Sequence, residues 1–311
     1  MRQLRIRSNR SALTAIFFCV AVCAVVAQMP TKDAQMPSGA RDSEEPSPGL
    51  AAIESGLRYD LGMHPDSAPI LYKLGSVLRE ENKPKESLET YTRAAHLQEP
   101  NAQQLRSVAL DYVLLADYDD AVHWLKIAAS FDPENADVLY SLGRCLYSQN
   151  KYPEAEKIFL HVLEIKPDHL KAEENLGLIY DFINEPEKAE AALRKAAASA
   201  GDESTDEWPF LDLGAFLLDH DRAAEAAPFL RRASTIASKC TACHEKLGRA
   251  LVATGDVDGG VKELQTAALL DPKNPKMHFQ LGLAYRAAGA LEKSRAEFEL
   301  SQSLYGEHSQ D

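Results

Sequence analysis

The chain of 311 residues is 45% hydrophobic and 26% charged, a balance that suits a folded protein and argues against wholesale disorder. Its 34 basic against 47 acidic residues leave a formal charge of −13, unsuited to a phosphate backbone, which rewards clustered Lys and Arg. Nucleic acid is therefore not an expected partner, and the two domains suggested by length alone give way to the internal repeat described below.

Residues 1–27 stand apart. Arg2, Arg5, Arg7 and Arg10 form a basic head, followed by an uncharged run from Ala12 to Ala27. This is the pattern of a secretory signal, with Val25 and Ala27 placed for cleavage before Gln28. Export to the periplasm or exterior of a bacterium is expected; an uncleaved signal anchor is the second reading and the only expected membrane contact. Phe18 and Val22, preceding Cys19 and Cys23, do not fit a lipid-attachment site. Losing four arginines and no acid would take the charge from −13 to −17. Residues 28–49 carry Pro30, Pro37, Gly39, Pro46, Pro48 and Gly49, the composition of a flexible tether. Residues 50–67, with Leu50, Ile53, Leu57 and Leu61 before Pro65, are expected to form a capping helix.

From residue 68 the chain repeats itself. Gly75, Gly143, Gly177, Gly214, Gly248 and Gly282 each follow a Leu, and Ala109 after Val108 fills the remaining slot. Successive slots lie 34, 34, 34, 37, 34 and 34 residues apart. Twelve residues beyond each slot comes a small residue: Ser87, Ala121, Ala155, Ala189, Ala226, Gly260 and Ser294. Four further on stands a large apolar one: Tyr91, Leu125, Phe159, Leu193, Leu230, Leu264 and Phe298. Three beyond that is another compact residue, Ala94, Ala128, Val162, Ala196, Ala233, Ala267 or Ser301. Two stretches of helical periodicity per unit, parted by a short polar turn, predict paired helices. Small residues let their backbones approach, and each pair must stack on the next to cover its open face. The seven units are 68–101, 102–135, 136–169, 170–203, 207–240, 241–274 and 275–308, with a three-residue insertion around 201–206. Ser301-Gln302 replaces the Ala-Ala pairs of earlier units, as an outward face at a terminal repeat would require.

The pattern resembles the tetratricopeptide repeat family over 68–308. The resemblance implies an all-α fold: a right-handed superhelical solenoid of antiparallel helix pairs whose first helices line a concave groove. Carried over by column, the partner-binding residues are Tyr72, Arg79, Arg106, Tyr140, Arg144, Tyr147, Trp208, Arg249, Phe279 and Arg286. Arginines among aromatics suit carboxylates and extended peptides, although Asp137, Glu174, Asp181 and Glu245 share those columns. The family's clamp for a terminal carboxylate does not carry over, because Tyr72 and Ser76 stand in place of its Lys and Asn columns.

Cys240-Thr241-Ala242-Cys243-His244 has the spacing of haem c attachment, with the histidine as axial ligand. Yet His278 occupies the same column as His244 with no cysteines beside it, so packing explains the histidine, and the cysteines suit a disulfide or thiol pair. No cofactor or metal is expected, haem c being the alternative. Cys145 reads as a small core residue. Gly255-Asp256-Val257-Asp258-Gly259-Gly260 lacks the acid ladder of a calcium loop and coincides with a turn. Asp119-Asp120 reads as a turn and helix start, where acids suit the dipole. No nucleophile elbow, zinc-protease pair or Walker loop is present; His244-Glu245 is followed by Gly248 where a second histidine would be needed. The expectation is a non-enzymatic scaffold binding a protein or extended peptide, with self-association through the last repeat near Phe298 and Leu300. The alternative is an electron-transfer protein carrying haem on Cys240, Cys243 and His244.

Overall fold

The computed structural model describes residues 48–308. The expected signal segment, with Cys19 and Cys23, and residues 28–47 of the tether lie outside the described residues. Among the described residues there are fifteen helices and no strand. The chain divides into two compact units, Met1–Val138 and Leu139–Asp311.

The first unit holds α1 (Pro48–Met63), α2 (Ala68–Glu80), α3 (Pro84–Leu97), α4 (Ala102–Leu114) and α5 (Tyr118–Phe131), and ends inside α6 (Ala136–Ser148). Pro48 and Gly49, expected in the tether, instead open α1, where proline's missing donor costs nothing. Leu61 of α1 packs against Ala68, Leu71, Tyr72, Tyr91 and Ala94. Glu54 accepts from Lys83 Nζ at 2.9 Å and Arg58 Nε at 2.6 Å, and these bonds hold its carboxyl down to about 2. Ile53, expected on the covering face, is 51% exposed, a turn beyond the point where Leu57 is half-buried.

The second unit continues with α7 (Tyr152–Ile165), α8 (Leu170–Phe182), α9 (Pro186–Ala200), α10 (Trp208–Asp219), α11 (Ala223–Ile236), α12 (Thr241–Ala253), α13 (Val257–Leu270), α14 (Pro275–Ala287) and α15 (Leu291–His308). In both units the glycine column does what its spacing predicts. A Cβ on Gly75 would come within 2.8 Å of the Tyr91 ring, and on Gly177 within 2.6 Å of Leu193 Cγ; the Gly143–Phe159, Gly214–Leu230, Gly248–Leu264 and Gly282–Phe298 pairs match. Ala109 and Leu125, the substitutes in the second repeat, are both fully buried. Helix pairs therefore nest at the glycine, and the large residue sixteen positions on fills the space.

The turn inside each pair is equally regular. Asn82, Ala116, Asn150, Asn184, Asp221, Gly255 and Gly289 all have φ between 58° and 92°, one per repeat. The amide after the turn reaches back over the helix end, as in Lys83 N to Leu78 O and Glu185 N to Tyr180 O, both at 2.8 Å. This is the left-handed cap that Gly and Asn tolerate best. Ala116 holds the same conformation without glycine's freedom, at a cost of about 1 kcal/mol.

One expectation about the last repeat needs amendment. Ser301 does not lie on an outward face: it is 3% exposed, and its hydroxyl donates to Pro275 O at 2.8 Å. A small hydroxyl satisfies the carbonyl at the start of α14 while keeping the close approach, so only Gln302 faces solvent. The insertion is clamped onto the stack: Arg232 donates to Asp202 Oδ1 at 2.9 Å and Gly201 O at 2.7 Å, with its guanidinium 4.0 Å from the Phe210 ring centroid.

Candidate functional site

The column residues singled out in the sequence meet different fates. In the first unit, Tyr72 is 5% exposed, its hydroxyl donating to Gln98 O at 2.7 Å and its ring 5.9 Å from that of Tyr91. Burial pushes this phenol up to about 12. It belongs to the packing between helices, which corrects its assignment to a binding face. Arg79 and Arg106 are half-buried, and Arg79 Nε is fully enclosed. Close to Arg79 lies Asp111, fully buried, with Oδ2 2.6 Å from Ser87 Oγ. Ser87 Oγ is also 2.8 Å from Gly75 O, as Ser294 Oγ is from Gly282 O in the last repeat. One hydroxyl proton cannot serve two acceptors. With that proton committed to the carbonyl, Asp111 bonds to Ser87 best as the acid; burial pushes its carboxyl up to about 7.

In the second unit the first helices bring several groups together. Tyr140 of α6 lies half-buried with its ring 4.8 Å from His169 and 5.9 Å from Phe159, and burial pushes its hydroxyl up to about 12. Arg144 stands one turn on, half-buried, its charge acting on Tyr140. Tyr147 packs edge-on against Tyr152 at 5.5 Å; burial raises its phenol to about 12, helped by Tyr152, Asp212 and Asp181. From α8 come Glu174 and Asn175, 0% and 1% exposed. From α10 comes Asp212, whose carboxyl is raised well above its ordinary value, first by burial and then by the charge and hydrogen bonding of Glu174. Two buried carboxyls in contact cannot both ionise cheaply, so this pair holds a proton. Lys246 of α12 opposes that tendency at Asp212. Tyr140 bonds to Asn175 and Asp212 to Glu174, while Asn175 Oδ1 is buried without a hydrogen-bond partner. An acceptor left in that state costs about 1–3 kcal/mol, and native structures hold few of them.

The remaining residues are not part of this cluster. Trp208 is half-buried at the start of α10, its amide donating to Asp206 Oδ1 at 3.2 Å. Arg249 is bound to Glu245 at 3.3 Å and Asp219 at 3.7 Å, which neutralises it. Phe279 is 44% exposed with its ring 5.5 Å from Phe298, and Arg286 is exposed in the last turn of α14. The expected arginine-and-aromatic lining is thus largely compensated, and the buried polarity sits on Asn175 and on Asp212, the partner of Glu174. Sequence reasoning passed over both. The signal was available: two residues before each slot stand Lys73, Ser107, Ser141, Asn175, Asp212, Lys246 and Gln280, polar in all seven repeats beside an apolar face.

At the sixth repeat, Cys240 and Cys243 are joined in a disulfide. His244 Nδ1 lies 2.7 Å from Glu263 Oε2 and Nε2 3.1 Å from Ser238 O. His278 repeats this arrangement with Glu297 at 2.8 Å and Pro272 O at 2.9 Å. Histidine in this column ties the first helix to the second helix of its own pair and to the preceding turn. Nothing in that geometry favours a haem ligand. Cys145 is buried, and burial pushes its thiol up to about 11. The Gly255–Gly260 string is a turn in which Asp256 caps α13 by accepting from Gly259 N at 3.0 Å. Among the described residues no group of three or more His, Cys, Asp or Glu could hold a metal ion. No helix among them is long and apolar enough to cross a membrane.

The fold and this face define a helical-repeat protein built from antiparallel pairs. Models of the tetratricopeptide repeat match residues 114–173, 174–202 and 245–307. The chain belongs to the tetratricopeptide repeat family. No curated protein matches it. Among solved structures it is similar to a tetratricopeptide repeat protein from Parabacteroides merdae, at 18% identity and TM-score 0.59, over 76% of this chain and 92% of that one. PilW, a type IV pilus biogenesis factor, is similar at 17% identity and TM-score 0.59, over 66% and 94%. YrrB, described as a TPR protein with an unusual peptide-binding site, is similar at 21% identity and TM-score 0.50, over 60% and 94%.

Proposed function

We propose that the chain is an exported, non-enzymatic scaffold that binds an extended segment of a partner protein along the first helices of its second unit. The supporting observation is the cluster of Tyr140, Glu174, Asn175 and Asp212, which gathers buried polar groups on successive first helices and leaves Asn175 Oδ1 without a bond in the chain. Donors on a peptide backbone or side chain would satisfy Asn175 Oδ1, turning a folding cost into binding energy. Tyr147, Arg144 and Lys246 surround the acids with aromatic and cationic groups suited to stacking and forked bonds. The description of YrrB as peptide-binding agrees with this use of the fold. Export rests on the basic head and apolar run of residues 1–27.

Photo-crosslinking in the native host tests the proposal. A crosslinking residue in place of Tyr147, on the first-helix face, should capture a defined protein. One in place of Lys157, exposed on α7, should not capture it. Asp212→Arg and Lys246→Glu should each lower capture at Tyr147 about tenfold, the scale expected for losing one charged anchor. Equal capture from both positions, unaffected by either variant, would remove the first-helix face as the binding surface.

A further inference from the structure

The Cys240–Cys243 disulfide sits at the N-terminus of α12. The six sister repeats close the same corner without a covalent bond. Their corresponding residues are Ser67, Asn101, Asn135, His169, Asp206 and Asn274. In three of them the side chain accepts the amide three residues on: Asn101 from Gln104 at 2.9 Å, Asn135 from Val138 at 3.2 Å and His169 from Ala172 at 3.2 Å. Cys240 Sγ does the same for Cys243 N at 3.1 Å. The architecture needs an acceptor here, which Asn supplies elsewhere, and it does not need a crosslink. A bond across a separation of three residues also closes the kind of short loop that constrains an unfolded chain least.

The two sulfurs are not equivalent. Cys240 is partly exposed, whereas Cys243 is 0% exposed. An accessible sulfur at a helix N-terminus, held by an amide donor and backed by a buried partner, is the arrangement that stabilises a thiolate and directs attack to one side. We propose that Cys240 and Cys243 form a redox-active pair that exchanges with the dithiol of a protein substrate. A substrate thiolate attacks Cys240 Sγ; the Cys240–Cys243 bond breaks, and its electron pair leaves on Cys243 Sγ, which takes up a proton. The second substrate thiolate attacks the substrate sulfur of the mixed disulfide and expels Cys240 Sγ as a thiolate, received by Cys243 N–H and then protonated. The substrate dithiol is oxidised to a disulfide, and the pair gains two electrons and two protons. Run backwards, the same steps reduce a substrate disulfide.

The test uses the full chain in graded mixtures of reduced and oxidised glutathione, quenched with a maleimide. Tryptic fragment 240–246 carries both cysteines, so its labelling is read by mass without interference from Cys145. The fragment should pass from unlabelled to doubly labelled while the helical circular dichroism stays constant. With oxidised glutathione, Cys243→Ser should form an adduct on Cys240 about tenfold faster than Cys240→Ser forms one on Cys243, as exposure dictates. Cys240→Asn, which restores the sister-repeat cap, should keep the helical signal. Reduction that occurs only after unfolding in urea, equal adduct rates for the two single variants, or loss of helix in Cys240→Asn would each show a purely structural bond and overturn the proposal.

Discussion

Asp111 shows how one side chain can tie the stability of a repeat to pH. Its folded value of about 7 lies above the ordinary 3.8 because burial penalises the charged form. The folded state therefore binds the proton more tightly than the unfolded chain. Its contribution is complete below pH 3.8 and is lost as pH rises through 7. The gap corresponds to at most about 4 kcal/mol. Asp111→Asn keeps the shape and cannot ionise. Urea unfolding from pH 5 to pH 8 should show wild-type stability falling faster than that of the variant, with the variant more stable at pH 8. Parallel slopes would place the titration elsewhere. The signal in the sequence was an acid in an otherwise apolar column, shared with buried Cys145, Ile179, Phe216, Ala250 and Ala284, with the hydroxyl of Ser87 placed to meet it. Tyr72 misled because resemblance set its column on the open face, whereas its hydroxyl finds Gln98 O and Glu174, Leu211 and Glu245 in the same column are buried too.

At the scale of the helix pair, α12 and α13 approach more closely than side-chain packing alone would allow. Gly248 and Gly260 face each other, and a Cβ on Gly260 would stand 2.7 Å from Gly248 O, 2.5 Å from Val252 Cγ2 and 3.0 Å from Val252 N. The equivalent position holds Ala in four sister repeats, so Gly260→Ala should force the pair outward. Backbone atoms cannot step aside as a leucine tip can. The variant is expected to lose about 1–3 kcal/mol in urea unfolding, despite alanine's better helix propensity. An unchanged midpoint would mean that the pair has slack. These pairs were the most legible feature of the chain, because a glycine slot and a bulky residue sixteen positions later must recur wherever two backbones touch. The left-handed turns were equally readable from the column Asn82, Asn150, Asn184, Asp221, Gly255 and Gly289, yet Ala116 blurs it. Ser301 was misread because a hydroxyl buried against a carbonyl looks, in sequence, like a solvent-facing one.

For the whole molecule, the repeat fixes which helices are first in each pair, and the column two residues before the glycine slots is polar in all seven repeats. Resemblance supplied the general face but overvalued its arginines. Arg249 is spent on Glu245, one turn before it in the same helix, and on Asp219 of the preceding repeat, a contact that column arithmetic cannot see. Asn175 and Asp212, one position off the expected columns, carry much of the buried polarity, and their burial depends on neighbouring helices rather than on local sequence. Hydrogen–deuterium exchange with the crosslinked partner bound tests the central claim most directly. Protection should rise in α6, α8, α10 and α12 around Tyr140, Asn175, Asp212 and Lys246, and remain unchanged in α7, α9 and α11. Protection confined to those second helices, or absent from the first ones, would contradict the account.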